Sequence, residues 1–195
     1  MNADDWTNVG KWDAWYEEAV AEAPYGDEAT YRMAAAFFSD CASVEDWGCG
    51  LGWFRRYIPT SRYRGVDGSM SRFADEVVDL ASYRSAAEGV LLRHVLEHDY
   101  RWQAILENAV ASFSRKLVLV LYTPVGEHCT ELAFYDDPGV PALSLPFTGL
   151  TSRLAGLDCQ VHFVASATDY GGETVFYVRR PTLAAVTPRR RHRRI

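Results

Sequence analysis

Apolar and polar positions along this chain change spacing repeatedly, from helix-like to strand-like and back. Over Lys11–Glu22 and Ala29–Phe38 the large apolar residues recur at helical spacing among alanines, which predicts two helices separated by a turn at Ala23-Pro24-Tyr25-Gly26. Ala42–Trp47 reads as a short strand running into Gly48-Cys49-Gly50-Leu51-Gly52, with a helix start over Trp53–Ile58 closed by Pro59. Tyr63–Asp67 is a second strand, followed by Gly68-Ser69 and a helix predicted from Met70. A weak third strand covers Glu76–Val78 and ends at Asp79; Gly89–Leu92 is a fourth, and Leu96–Phe113 carries a helical pattern. Lys116–Tyr122 is continuously apolar, as a strand buried on both faces should be.

Beyond Pro124 the pattern weakens. Tyr135–Pro146 holds Asp136-Asp137-Pro138-Gly139 and two further prolines, and is expected to be a loop. Phe147–Gly156 is expected to be helical, and Gln160–Ala165 and Thr174–Arg179 to form two strands turned through Asp169-Tyr170-Gly171-Gly172. Strands and helices that alternate and then close with a hairpin predict a Rossmann-like, doubly wound α/β fold. Its sheet is mostly parallel with helices on both faces, and the C-terminal hairpin adds antiparallel pairing at one edge.

Composition narrows this. A chain of 195 residues, 48% hydrophobic and 24% charged, is one globular domain rather than a disordered polymer. The expected division is a helical segment over 1–40, the α/β domain over 41–181 and a basic tail over 182–195. No apolar run approaches the ~20 residues of a membrane span. Met1–Gly10 has no basic stretch followed by an apolar one, so no secretory signal or membrane association is expected and the cytoplasm is the expected location. Cys41, Cys49, Cys129 and Cys159 show no C-x-x-C spacing and suggest neither a zinc site nor a disulfide framework.

The formal net charge of −6 is unevenly distributed: Arg189, Arg190, Arg191, Arg193 and Arg194 crowd the last seven residues, leaving 15 basic against 26 acidic residues elsewhere. An acidic body with an arginine arm suits either a solvated tail or a docking arm for nucleic acid.

The chemistry concentrates at Glu45-Asp46-Trp47-Gly48-Cys49-Gly50-Leu51-Gly52. A glycine turn between strand and helix lets the backbone approach a ligand closely. Its G-x-G-x-G spacing and the preceding acids suit a cationic ligand better than a pyrophosphate. Asp67, about 20 residues on at the end of the second strand, is placed to accept hydrogen bonds from ribose hydroxyls, and Asp79 is a candidate partner for an adenine amino group.

On these residues the chain resembles the class I S-adenosylmethionine-dependent methyltransferases. Asp46–Gly52 is similar to their first motif, Gly65-Val66-Asp67-Gly68-Ser69 to their second, and Leu91–His98 to the fourth-strand segment of many metal-free members. The resemblance implies a seven-stranded sheet and S-adenosyl-L-methionine as cofactor. It assigns the methionine moiety to Asp46, Gly48, Cys49 and Gly50 with Gly52 completing the turn, the ribose to Asp67 beside Gly68, the adenine to Asp79 and Leu80, and the sulfonium border to Arg93 and His94. Trp47 departs from the small or aliphatic residue usual in the family.

Several acceptor classes lack their residues here. There is no Asp-Pro-Pro-Tyr for exocyclic base amines, no Pro-Cys for cytosine carbon and no acidic pair for magnesium. His94 and His98, with Glu97 between them, form the candidate base group, expected to share one face of a helix start. Tyr122 ends the fifth strand and His128 follows it, and Trp12, Trp15, Tyr16 and Tyr25 suit either core positions or a lid over the cofactor. Three readings follow: transfer to an O, N or C atom of a small molecule; modification of RNA, nucleotides or modified DNA bases with the arginine arm docking; and a non-catalytic binding or scaffold protein on the same fold.

Overall fold

A computed structural model describes residues 7–18 and 24–181. Two short helices, α1 (Asp13–Glu18) and α2 (Ala29–Phe37), precede the sheet. Its strands are β1 (Val44–Trp47), β2 (Tyr63–Asp67), β3 (Glu76–Val77), β4 (Ala87–Arg93), β5 (Phe113–Leu121), β8 (Asp158–Ala165) and β9 (Gly172–Arg179). They lie in the order β3-β2-β1-β4-β5-β9-β8, parallel from β3 to β5, with β9 antiparallel to both β5 and β8. This is the expected doubly wound sheet of seven strands with its terminal hairpin. Strand order reverses at β1, so the connections leaving the carboxyl ends of β1 and β4 run in opposite directions along the sheet and open a crevice between them.

Period-two alternation divides the sheet into two faces. Val90 and Leu92 of β4, Leu117, Leu119 and Leu121 of β5, and Phe176 and Val178 of β9 pack with Trp102, Ile105 and Leu106 of α3 (Trp102–Ser112) and Leu150 of α4 (Phe147–Arg153). Leu91, Val118, Val120 and Val175 point the other way, toward Tyr31, Ala34 and Phe38 at α2 and Phe54 after the glycine turn. Each fully buried Leu or Val contributes roughly 1.5–3 kcal/mol of transfer free energy, so these faces are what bind the layers together.

Four expectations are corrected. Trp53–Ile58 makes only a 3-10 turn over Trp53–Arg56, because Pro59 leaves too few residues to nucleate an α-helix. No helix starts at Met70; the Ser71 hydroxyl instead donates to the Gly50 carbonyl at 2.6 Å, an option that short hydroxyl side chains offer in place of a helical ladder. The region after Pro124 is not merely a loop: β6 (Thr130–Tyr135) and β7 (Val140–Ser144) form an antiparallel hairpin turned through Asp136–Gly139. The prolines that argue against a strand are tolerated because this is a separate two-stranded sheet in which every residue is near an edge. Leu96–Phe113 is also interrupted, as a 3-10 turn at Leu96–His98 followed by α3. Among the described residues no helix is long and apolar enough to cross a membrane.

Candidate functional site

At the carboxyl end of β1 the backbone turns through Gly48, Gly50 and Gly52, all left-handed, at φ of 72°, 50° and 66°. Only glycine takes such angles without penalty. At Gly48 a Cβ would also stand 2.5 Å from Val95 Cγ2, so the turn is pressed against the segment after β4. Asp67, at the end of the neighbouring β2, accepts from the Gly50 N–H at 2.8 Å through Oδ2 and from the Ser69 N–H at 2.9 Å through Oδ1. An ionised carboxylate has about four lone-pair sites, so acceptor capacity remains toward the cavity. Burial raises Asp67 to about 6 against the pull of these N–H donors.

Turn and carboxylate line one end of a cavity of about 630 Å³, within the usual range for small-ligand sites. Gly48, Cys49, Gly50, Asp67, Gly68 and Leu80 line it directly. Trp12, Trp15 and Tyr16 close over it from α1 and the turn before it, and that segment is tied to the loop after β2: Gly10 N–H donates to Gly68 O at 2.9 Å and Trp12 N–H to Ser69 Oγ at 3.0 Å. Tyr16 reaches the turn itself, its hydroxyl 3.3 Å from where a Cβ on Gly50 would be.

Other residues are placed differently from their expected roles. Asp46 lies buried beneath the turn, outside the cavity lining, and accepts from the Tyr63 hydroxyl at 3.0 Å; burial raises it to about 7. Gly52 is likewise outside the lining, against Phe73. Asp79 does not line the cavity either: Arg101 holds both its oxygens, at 2.9 and 3.0 Å, while its neighbour Leu80 supplies the wall. Trp47 turns into the core, its Nε1–H donating to Glu45 Oε2 at 2.9 Å and its ring edge-on to Tyr83. Glu45 is thereby occupied as a structural partner.

At the far end of the cavity stand the two histidines, though not on one helix. His94 holds φ of 56°, a strained conformation for a non-glycine residue, and His98 closes the 3-10 turn. They flank the ring of Tyr122, at 5.1 and 5.5 Å between centroids. Burial lowers both to about 4, so both are neutral near pH 7. His98 Nδ1 is 2.8 Å from the Pro141 carbonyl, which can only accept; the proton is on Nδ1 and Nε2 is the basic nitrogen. His94 Nε2 is 2.6 Å from Glu173 Oε1, which leaves Nδ1 basic.

Glu173 escapes the sequence reading altogether. It is fully buried on β9, where burial alone would raise it, yet the His94 bond and the Arg93 guanidinium hold it below its ordinary value. Arg93 lines the cavity with its guanidinium anchored from two nitrogens: Nε donates to Thr30 Oγ1 at 3.0 Å, and Nη2 to Glu173 at 2.7 Å and to the carbonyls of Tyr25 and Asp27. The one available signal was an acid opening the otherwise apolar strand Thr174–Val178. Glu97 is also fully buried, accepts from Tyr122 N–H at 2.8 Å, and is raised by burial to about 8. His128 is exposed and outside the cavity lining, and the arginine run Arg189–Arg194 lies outside the described residues.

Sheet order, glycine turn and cavity together define a class: this is a class I methyltransferase fold. The chain aligns with 1,6-didemethyltoxoflavin-N1-methyltransferase of Burkholderia thailandensis at a TM-score of 0.63 and 17% identity, over 80% of each chain. It aligns with magnesium protoporphyrin IX methyltransferase of Synechocystis at 0.58 and 14% over 79% of each. An N-methyltransferase of Bradyrhizobium japonicum matches at 0.57 and 12%, over 84% of this chain and 91% of that one. No family model matches the chain, and no curated protein matches it in sequence.

Proposed function

We propose that the protein is an S-adenosylmethionine-dependent methyltransferase acting on a small molecule. The observation that carries this reading is the left-handed glycine turn set beside the Asp67 carboxylate at one end of the 630 Å³ cavity. The fold likeness supports it, since the three aligned methyltransferases hold S-adenosylmethionine or S-adenosylhomocysteine in their structures. The residues fit such a cofactor: a glycine turn that lines the cavity at Gly48, Cys49 and Gly50, a buried acceptor at Asp67 for ribose hydroxyls, and an apolar wall at Leu80 for adenine.

When bound, the cofactor supplies an already activated methyl group, and the protein's task is orientation rather than covalent help. Gly48, Cys49 and Gly50 hold the amino-acid end, and Asp67 fixes the ribose. Residues before and within α1 cover the site, Trp12, Trp15 and Tyr16 excluding water, as a lid over 1–40 would. Where the acceptor carries a proton, His98 Nε2 is the nitrogen set to receive it, with its tautomer fixed by the Pro141 carbonyl. His94, oriented by Glu173, is a second base at the same end.

Calorimetric titration with S-adenosylmethionine and S-adenosylhomocysteine tests the reading. Micromolar binding is expected, weakened at least tenfold in Asp67→Ala, which corresponds to about 1.4 kcal/mol or more. Failure of folded wild-type protein to bind either compound overturns it and favours a binding or scaffold role.

A further inference from the structure

The end of the cavity away from the glycine turn is walled by rings. Tyr122 lies at the centre, its centroid 5.5 Å from Tyr25, 5.1 Å from His94 and 5.5 Å from His98. His98 in turn lies 5.4 Å from Trp12 and 6.1 Å from Tyr135. All six residues line the cavity, and they come from five separate parts of the chain, so no local pattern assembles them. Ring pairs are in edge-on or tilted contact, the arrangement aromatic quadrupoles favour, and such a wall offers edges and faces to a further ring.

The charges at this end are equally one-sided. Asp137 and Asp169 are in the lining, whereas Arg93 is the one lysine or arginine among the described lining residues, and its guanidinium is already bound to Glu173, Thr30 and two backbone carbonyls. An anionic ligand would meet two carboxylates and a single guanidinium whose charge is already balanced by Glu173. A molecule with one N–H or O–H has a partner waiting in His98 Nε2, whose acceptor character is enforced by Nδ1 at Pro141 O.

We infer that this end of the cavity is an acceptor subsite for a planar, uncharged aromatic or heteroaromatic molecule that presents a ring hydroxyl or ring N–H to His98. The ligand stacks in the Trp12–Tyr25–Tyr122–Tyr135 wall and donates to Nε2. Asp137 and Asp169 at the wall select against acidic analogues. This assignment rests on the methyltransferase reading for calling the ligand an acceptor, but the binding chemistry stands on the rings and charges alone.

Equilibrium dialysis of the full chain, with and without saturating S-adenosylhomocysteine, against 2-naphthol, 2-naphthoate and 2-naphthylmethylammonium tests it without any turnover. 2-Naphthol is expected to bind at least tenfold more tightly than 2-naphthoate and more tightly than the ammonium compound. Asp137→Asn combined with Asp169→Asn should narrow the gap between naphthol and naphthoate, and His98→Phe, which keeps a ring but removes the acceptor, should weaken naphthol about fivefold or more. Naphthoate binding as tightly as naphthol, the ammonium binding most tightly, or indifference to His98→Phe would each overturn the inference; the three-probe comparison on wild type decides even where a variant does not fold. Binding of S-adenosylhomocysteine with no naphthol binding sinks the subsite and leaves the cofactor reading intact. Naphthol binding with no cofactor binding does the reverse.

Discussion

The two halves of the sheet are held in different ways. From β4 to β9, strands of seven to nine residues are backed by α3 and α4, and Leu117, Leu119, Leu121, Phe176, Ile105 and Leu106 are sealed from solvent. From β1 to β3, strands shorten to four, five and two residues, and among them no crossover contains an α-helix. Here side-chain to backbone bonds carry the order: Asp67 to Gly50 N–H, Ser71 to Gly50 O, Asp75 to Gly65 N–H, and Asn108 to the carbonyls of Leu80 and Ala81. Packing is non-directional and resists unfolding, whereas hydrogen bonds to a turn are directional and fix where each backbone N–H points. The half that would hold the cofactor is built from the directional kind.

This division is open to mutation. Leu119→Ala, in the packed half, is expected to cost about 2–5 kcal/mol in denaturant unfolding while the folded fraction retains its affinity for S-adenosylhomocysteine. A parallel loss of affinity would show the halves to be one unit. Gly48→Ala should do the opposite: a strained φ costing on the order of 1–3 kcal/mol, the forced displacement of Val95, and an affinity at least tenfold lower in protein with a native circular dichroism spectrum.

Glu97 lies where the histidine segment meets β5, and burial raises it to about 8. A carboxyl raised in the folded state binds more protons there than in the unfolded chain, so its contribution to stability is full below about 4.5 and is lost as pH rises toward 8. Glu97→Gln removes that loss. Its unfolding free energy, compared with wild type, should rise between pH 5 and pH 8, by on the order of 1 kcal/mol or more; a constant offset across that range would place the carboxyl in an ordinary environment. The smallest effect belongs to Asp79→Asn. Its pairing with Arg101 is partly exposed, worth about 1 kcal/mol or less, and S-adenosylhomocysteine affinity should change less than threefold. A large loss would return Asp79 to the adenine site.

Much of the architecture was legible in residue order, because it depends on near neighbours. Tyr63–Asp67 forms the expected strand, Phe113–Leu121 takes in the apolar run up to Leu121, and the turn through Gly48, Gly50 and Gly52 needs the backbone angles that glycine alone takes freely. The helix expected at Met70 failed because Ser71 found a backbone partner 21 residues away, and the hairpin β6–β7 was hidden by prolines that count against a strand only in the middle of a sheet. Asp46 stands one residue before the end of β1 and Asp67 ends β2, on the same side of the sheet, yet one is sealed beneath the turn and the other opens to the cavity, which depends on how far along the strands each lies. Glu173 is 79 residues from His94 and 80 from Arg93, and meets them only because β9 returns antiparallel beside β5. Local sequence thus determined the strands, the glycine turn and the candidate acids and bases. Which of them share a cavity, which are spent on each other, and which nitrogen of each histidine is basic were decided by the tertiary structure, since burial and hydrogen-bond partners arise from strands and loops far apart in the chain.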